Sequence, residues 1–397
     1  MSYHKKTIRD FDPRGKKILL RCDFNVPLNK ETGAITNDKR IRASLPTIQY
    51  LLEHDAAVIA CSHLGKPKGE WVDALSLAPV ADRLSELLNL TVKMSDDVVG
   101  GCSRMMADDL KPGEIMLLEN TRFHIEETTN EPGYAEELAA LADVFVSDAF
   151  GAAHRAHAST TGVADYLPAY AGFLMEQEIS IMGNALSHPE RPFVAVLGGA
   201  KISDKLDVIQ NLLEKADKLL IGGGMPYTFI KAMGHDVGTS LLEEDKIPYC
   251  KEMLEKSAQM GGKLVLPTDT VVADRFAADS ESKIVSTDAI PEGWMGMSIG
   301  PETVKQYTET VRNAKTVVWN GPMGVFEFPA FAESTRAMAE ALAEADAITI
   351  IGGGDSVAAV EQMGFADKIT HISTGGGATL EFLAGKVLPG VACLLDE

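Results

Sequence analysis

The sequence predicts an α/β protein: two Rossmann-like domains with parallel β-sheets flanked by helices, joined by a hinge helix. Three observations carry this. Short β-branched or Leu-rich runs recur along the 397 residues, each followed by a helical pattern. The runs are nearly continuously apolar, as parallel strands covered on both faces must be. One helical stretch, "GFLMEQEISIMGNALSHPERPF", divides them into two series.

The first series is "KILLRCD", "AAVIACS", "EIMLLEN" and "DVFVSDAF"; the second is "FVAVLGG", "KLLIGGG", "GKLVLP", "TVVWNG" and "AITIIGGG". The intervening helices are amphipathic, with apolar residues three and four apart in "SLPTIQYLLEHD" and "APVADRLSELLN". Each has an early proline, where a missing N–H costs nothing. "SDKLDVIQNLLEKAD" opens with Ser203 and Asp204, suited to a first helical turn. Pro189 and Pro192 close the dividing stretch. The expected organisation is a first domain over residues 1–171, a connecting helix over 172–187 and a second domain over 188–378.

Bulk properties narrow the function. A net charge of −20 argues against a nucleic-acid or anionic-membrane surface, so an anionic ligand would need a local basic patch. Cys22, Cys61, Cys102, Cys250 and Cys393 are odd in number and without ligand spacing, which suggests neither a disulfide framework nor a zinc site. No apolar run approaches the roughly 18 residues of a membrane span, and no apolar stretch follows "MSYHKKTIRD". A cytoplasmic protein is expected.

Polar residues at strand ends indicate the site, because ligands of open α/β sheets bind outside the carboxyl ends of the strands. The first half offers "RCDFN", "CSHLGKPKG", "LLENTRFH" and "SDAFGAAHRAHAST", and "TNDKRIRAS" from a loop. His63, Lys66, Arg122, Arg155 and Arg40 form a cationic cradle suited to a phosphate or carboxylate. Asp23 and Asn25 would accept from a hydroxyl of the same ligand. Arg21 is left outside the site, since strand alternation does not fix its direction. The second half offers glycines: "LGGAKISDK", "IGGGMPYTF", "NGPMGVFE", "IGGGDS" and "STGGGATLEF". Such clusters let backbone N–H groups approach phosphate oxygens. With Lys201, Lys205 and Asp355 nearby they favour a nucleotide, Asp355 being placed for Mg²⁺ on phosphate oxygens. GxxxxGK[ST], GxGxxG after a strand and the HRD and DFG set are all missing. An anion-binding half and a nucleotide half imply phosphoryl transfer of another class.

Together "RCDFNVP", "SHLGKP", "LLENTRF", "AHRAHAST", "LGGAKISDKL", "GGGM", "WNGPMGVFE", "GGGDS" and "STGGGATLEFLAGKVLPG" resemble the phosphoglycerate kinase family, in order from about residue 5 to the C-terminus. The resemblance implies transfer of the acyl phosphate of 1,3-bisphosphoglycerate to Mg-ADP, giving 3-phosphoglycerate and Mg-ATP in glycolysis, by a monomeric hinge enzyme. It implies a triose site of Asp23, Asn25, Arg40, His63, Lys66, Arg122 and Arg155. The implied nucleotide site is Lys201, Lys205, Gly296, Asn320, Glu327, Gly353, Gly354, Asp355 and Ser356, with Asp355 on magnesium. It also implies that residues 379–397 return to the first domain.

Arg40 and Lys205 are the groups expected to meet the transferring charge, with backbone donors from Gly375–Gly377, Gly376 among them. His63 and His157 are expected to bind or support, since an ionised ADP oxygen needs no general base. Three positions depart from the family pattern: Lys66 where arginine is common, Pro226 after "GGGM", and Met297–Ser298 in "GMSIG". A scaffold that kept the fold would show a broken site, and Arg40, Lys205 and Asp355 are all present. A different Rossmann-type small-molecule kinase fits the residues nearly as well without the family match.

Overall fold

The computed structural model describes residues 3–397. The chain divides into two compact units: the first runs to Ile181 and resumes over Val387–Glu397, and the second spans Met182–Lys386. The first is built on strands β1 (Lys17–Arg21), β2 (Ala57–Cys61), β3 (Val92–Met94), β4 (Ile115–Leu117), β5 (Val144–Ser147) and β6 (Ala169–Ala171). They form one parallel sheet in the order β3-β4-β2-β1-β5-β6. Every residue of β2 and β5 is buried, which explains their unbroken apolar character. Ile18, Leu20, Val58, Ala60, Leu117 and Val146 pack into one core with Ile41, Ile48 and Leu51 of the helix Lys39–Glu53.

That helix starts earlier than its apolar pattern suggests. Its first turn is "KRIR", so Pro46 lies inside the helix and not at its start. The helix therefore lacks one interior N–H donor there. Pro79 does stand in the first turn of Ala78–Leu88, as expected.

The second unit contains β7 (Phe193–Leu197), β8 (Lys218–Ile221), β9 (Leu264–Val265), β10 (Asp269–Ala273), β11 (Ser282–Ser286), β12 (Met295–Ile299), β13 (Thr316–Asn320), β14 (Ile348–Gly352) and β15 (His371–Ile372). Six make a parallel sheet, β15-β14-β13-β7-β8-β9. The other three form an antiparallel sheet, β11-β10-β12, that the parallel reading did not anticipate. β11 is exposed at four of its five positions and β12 contains a glycine, so neither reads as a continuous apolar run.

The connecting helix is Phe173–Ser187, and the passage from one unit to the next falls within it. Asp148, following β5, holds its start: one oxygen accepts from the N–H of Leu174 (2.9 Å) and Met175 (3.3 Å). The chain rejoins the first unit at Val387, later than residue 379. The helix Gly377–Leu383 stays with the second unit, where Asn211 Nδ2 donates to Leu383 O at 2.7 Å. Beyond it, Gly390 N donates to Ala153 O (2.8 Å), and Lys5 Nζ donates to Leu394 O (3.0 Å) and Asp396 Oδ1 (2.7 Å).

Candidate active site

In each unit one central strand lies between the next strand of the chain and a strand much later in it: β1 between β2 and β5, β7 between β8 and β13. The connections diverge at the carboxyl ends of these strands and leave a crevice there. The expected residues gather at both places.

In the first unit, "RCDFN" leaves β1 and turns at once. Phe24 N donates to Ser62 Oγ (2.8 Å), fixing the turn against the end of β2. Asp23, 7% exposed, accepts from Arg40 Nη1 with both oxygens at 2.9 Å. Asn25 Oδ1 accepts from Gly65 N (2.9 Å), and Arg122 Nη1 donates to Gly65 O (2.9 Å). One glycine thus joins three of the expected elements. Asn120 secures the same loop, donating to Leu64 O (2.7 Å) and Leu75 O (2.9 Å) while accepting from Leu64 N and Arg122 N.

Arg122 is half-buried, and burial together with Arg21 and Arg155 lowers its pKa to about 10. Its Nε is buried without a partner. A half-buried guanidinium among like charges with an unused donor is arranged for an anion. His63 is 5% exposed, and burial with the charges of Arg21, Arg122, Arg40 and His157 holds its pKa well below the usual range. Burial with the charges of Arg122, Arg21 and Arg155 brings His157 to about 4. Both imidazoles are therefore neutral. Lys66 and Arg155 are exposed at the edge of this cluster.

For Arg21 the structure supplies the direction that strand alternation left open. It is fully buried at the end of β1, with Nη2 3.1 Å from His63 Nδ1 and Nε donating to Ser159 Oγ at 2.8 Å. An arginine closing an apolar strand was the available signal; its direction depended on residues 42 and 138 positions away.

In the second unit a cleft of about 430 Å³ is lined by Gly199, Ala200, Gly223, Gly224, Gly296 and Gly324, with Glu327 and Asp355 on its wall. Several glycines are obligatory. A Cβ on Gly223 would stand 2.5 Å from Gly199 O, and one on Gly296 would meet Tyr227 Oη at 2.0 Å. Gly353 has φ 90° and lies against Asn320, where Gly352 ends β14 and the helix Gly354–Gln362 begins. Asp355 is in the first turn of that helix, and Ser356 Oγ accepts from Gly321 N at 2.6 Å.

Lys205 is 8% exposed, its Nζ donating to Gly198 O (2.8 Å), Asn320 O (2.9 Å) and Asn320 Oδ1 (2.6 Å). Burial lowers its pKa to about 8, while Asp204 and Asp355 pull the other way. Its three protons are all engaged within the protein. Asn320 Nδ2, by contrast, is buried without a partner. Lys201 is exposed, and Gly376, φ 50°, precedes the helix Gly377–Leu383 without lining the cleft.

Sequence reasoning missed the apolar wall of this cleft. Leu241 (53% exposed), Phe276 (62% exposed), Met295 and Val325 line it. They come from separate loops and the antiparallel sheet, with no shared motif. A larger recess of about 660 Å³ in the first unit is lined by Thr36, Asp38, Lys39, Asp82, Arg83 and Glu86 among others, none of them an expected site residue. Its Asp38 is already paired with Arg42 and Arg83.

The profile of the family described as "Phosphoglycerate kinase" matches residues 8–386. The chain belongs to the phosphoglycerate kinase family. A phosphoglycerate kinase of Clostridium botulinum is 58% identical over 400 residues, covering 100% of both chains. One of Roseiflexus castenholzii is 60% identical over 394 residues, covering 99% of each. Among solved structures, the phosphoglycerate kinase of Coxiella burnetii superposes with a TM-score of 0.91 at 41% identity, and that of Pyrococcus horikoshii with 0.83 at 35%, each over 98% of both chains. As a phosphoglycerate kinase family member the chain is a glycolytic kinase. Among the described residues no helix is long and apolar enough to cross a membrane, and no cluster of three or more His, Cys, Asp or Glu could hold a metal ion.

Proposed function

We propose that the chain catalyses reversible transfer of the acyl phosphate of 1,3-bisphosphoglycerate to Mg-ADP, giving 3-phosphoglycerate and Mg-ATP, as a cytoplasmic monomer. The observation that carries this reading is the pair of buried, unpartnered donors, Arg122 Nε and Asn320 Nδ2, one at each switch point. Each awaits an acceptor such as a ligand oxygen. Arg122, Arg40, His63, Asn25 and Asp23 bind the triose phosphate, with Lys66 and Arg155 adding charge at the rim. The glycine-lined cleft takes the nucleotide: its apolar wall suits the base, Gly296 lies beside it, and Glu327 meets the ribose. Lys201, Lys205, Asn320, Gly353, Gly354 and Ser356 face its phosphates.

Asp355 is the carboxylate for magnesium. A lone exposed carboxylate in a helix first turn, with no cluster of further ligands, suits an ion that arrives on phosphate oxygens. The ion neutralises phosphate charge when bound. The chain supplies position and charge for an in-line displacement in which an ADP oxygen bonds to phosphorus as the acyl oxygen leaves as a carboxylate. Arg40, held in place by Asp23, stabilises the transferring group; Lys205 joins it by exchanging an internal acceptor for a phosphoryl oxygen, and Gly376 adds a backbone donor. Because the two ligands belong to separate units, transfer calls for closure about the connecting helix. The test is ATP formation from Mg-ADP and 1,3-bisphosphoglycerate. Steady turnover is expected, and no detectable ATP would overturn the proposal.

A further inference from the structure

Four buried side chains of the first unit, Glu127, Ser159, Arg21 and His63, form a hydrogen-bonded line that ends at the triose site. We propose that Glu127, Ser159 and Arg21 are positioning residues that fix the proton of His63 on Nε2, so that the imidazole meets the triose phosphate as a neutral hydrogen-bond donor. The ligand in this statement rests on the triose-site reading above.

The direction of each bond is set by chemistry. Glu127 Oε2 accepts from Ser159 N at 2.9 Å and Oε1 accepts from Ser159 Oγ at 2.6 Å. A hydroxyl has one proton, so with it committed to Glu127, Ser159 Oγ offers only lone pairs to the next partner. Arg21 Nε takes that place at 2.8 Å, and Arg21 Nη1 donates to Cys22 O. With the guanidinium plane held at both edges, Nη2 is left 3.1 Å from His63 Nδ1. Guanidinium nitrogens only donate, so Nδ1 must accept and cannot carry a proton. A neutral imidazole then bears its proton on Nε2.

The charges around His63 keep it neutral. Arg21 from β1, Arg40 from the helix Lys39–Glu53, Arg122 after β4 and His157 all disfavour an added proton. The carboxylate on this side, Asp23, is bound to Arg40. His63 therefore serves neither as a base nor as a cation, and what it offers an incoming phosphate, carboxylate or hydroxyl oxygen is Nε2–H.

Two-bond 1H–15N spectra of the full chain labelled with 15N-histidine test this, with His63 assigned by its loss in His63→Gln. The expected result is an unprotonated Nδ1 and a protonated Nε2 throughout roughly pH 5.5 to 8. Arg21→Met should make His63 titrate within that window and give KM for 3-phosphoglycerate a matching pH dependence. Should that variant not fold, Ser159→Ala, which cuts only the link to Glu127, should give mixed tautomers. His63→Gln keeps a donor near the Nε2 position and His63→Asn does not. The asparagine variant should raise KM for 3-phosphoglycerate by about tenfold more than the glutamine one. A proton on Nδ1 in the natural chain, a tautomer unmoved in both relay variants, or equal KM effects would each overturn the proposal. A fixed Nε2–H without 3-phosphoglycerate binding would leave the relay standing and overturn the triose reading.

Discussion

The two units solve the same problem on the same kind of parallel sheet with different parts of the chain. At the end of β1 the first unit aims side chains, Arg40, His63 and Arg122, each supported by Asp23, Arg21 or Gly65. At the end of β7 the second unit removes side chains, and backbone lines the cleft. A small triose phosphate has few atoms and must be gripped by charges that reach it. A nucleotide is long, and backbone groups can approach its phosphates only where no Cβ intervenes. Losses in the first unit should therefore be electrostatic, and losses in the second steric.

The sharpest way to break this contrast is at Arg40. Arg40→Ala should lower kcat on the order of 10³-fold, with some loss of melting temperature because the buried Asp23 carboxylate is left unpaired. A loss of only a few-fold in steady-state assays would remove the electrostatic half. The steric half is tested at Gly321, where φ is 99° and a Cβ would stand 2.2 Å from Gly198 O. Gly321→Ala should cost about 3 kcal/mol of stability by denaturant titration, together with nucleotide affinity. Gly354→Ala, with nothing within 4 Å of the added carbon, should change stability by no more than about 0.5 kcal/mol.

A smaller effect concerns the start of the connecting helix. Burial raises Asp148 to about 7, above its ordinary carboxylate value. Such a group binds its proton more tightly when folded, so its contribution is present below about pH 4 and is lost as pH rises through about 7. The melting temperature of the natural chain should fall across that window relative to Asp148→Asn; parallel curves would refute the assignment. The smallest change is Lys66→Arg at the exposed rim, where a bidentate fork replaces a point charge. KM for 3-phosphoglycerate should fall by about two- to threefold.

Much of the site was legible because its residues close apolar strands. Asp23, His63 and Arg122 follow β1, β2 and β4, and the glycines follow β7, β8 and β14. What stayed hidden had no local signature. β11 is mostly exposed and β12 half-buried over its first two residues, while β10 buries the polar Asp269 and Thr270 on the hydroxyls of Thr303 and Thr287. Phe276 and Leu241 are exposed apolar residues in loops, indistinguishable in sequence from any others. The early start of the helix at Lys39 followed from polar residues that apolar periodicity ignores.

By itself, then, the sequence determined the alternation of buried parallel strands with amphipathic helices, the residue types at the strand ends and the family, because these are written in local pattern. Tertiary structure alone decided what those residues face. Arg21 turns to His63 and Ser159, Lys205 is absorbed by Gly198 and Asn320, and the C-terminal segment rejoins the first unit at Val387. Each outcome depends on donors and acceptors brought together from distant positions, and hydrogen-bond satisfaction in a buried site is a property of that assembly.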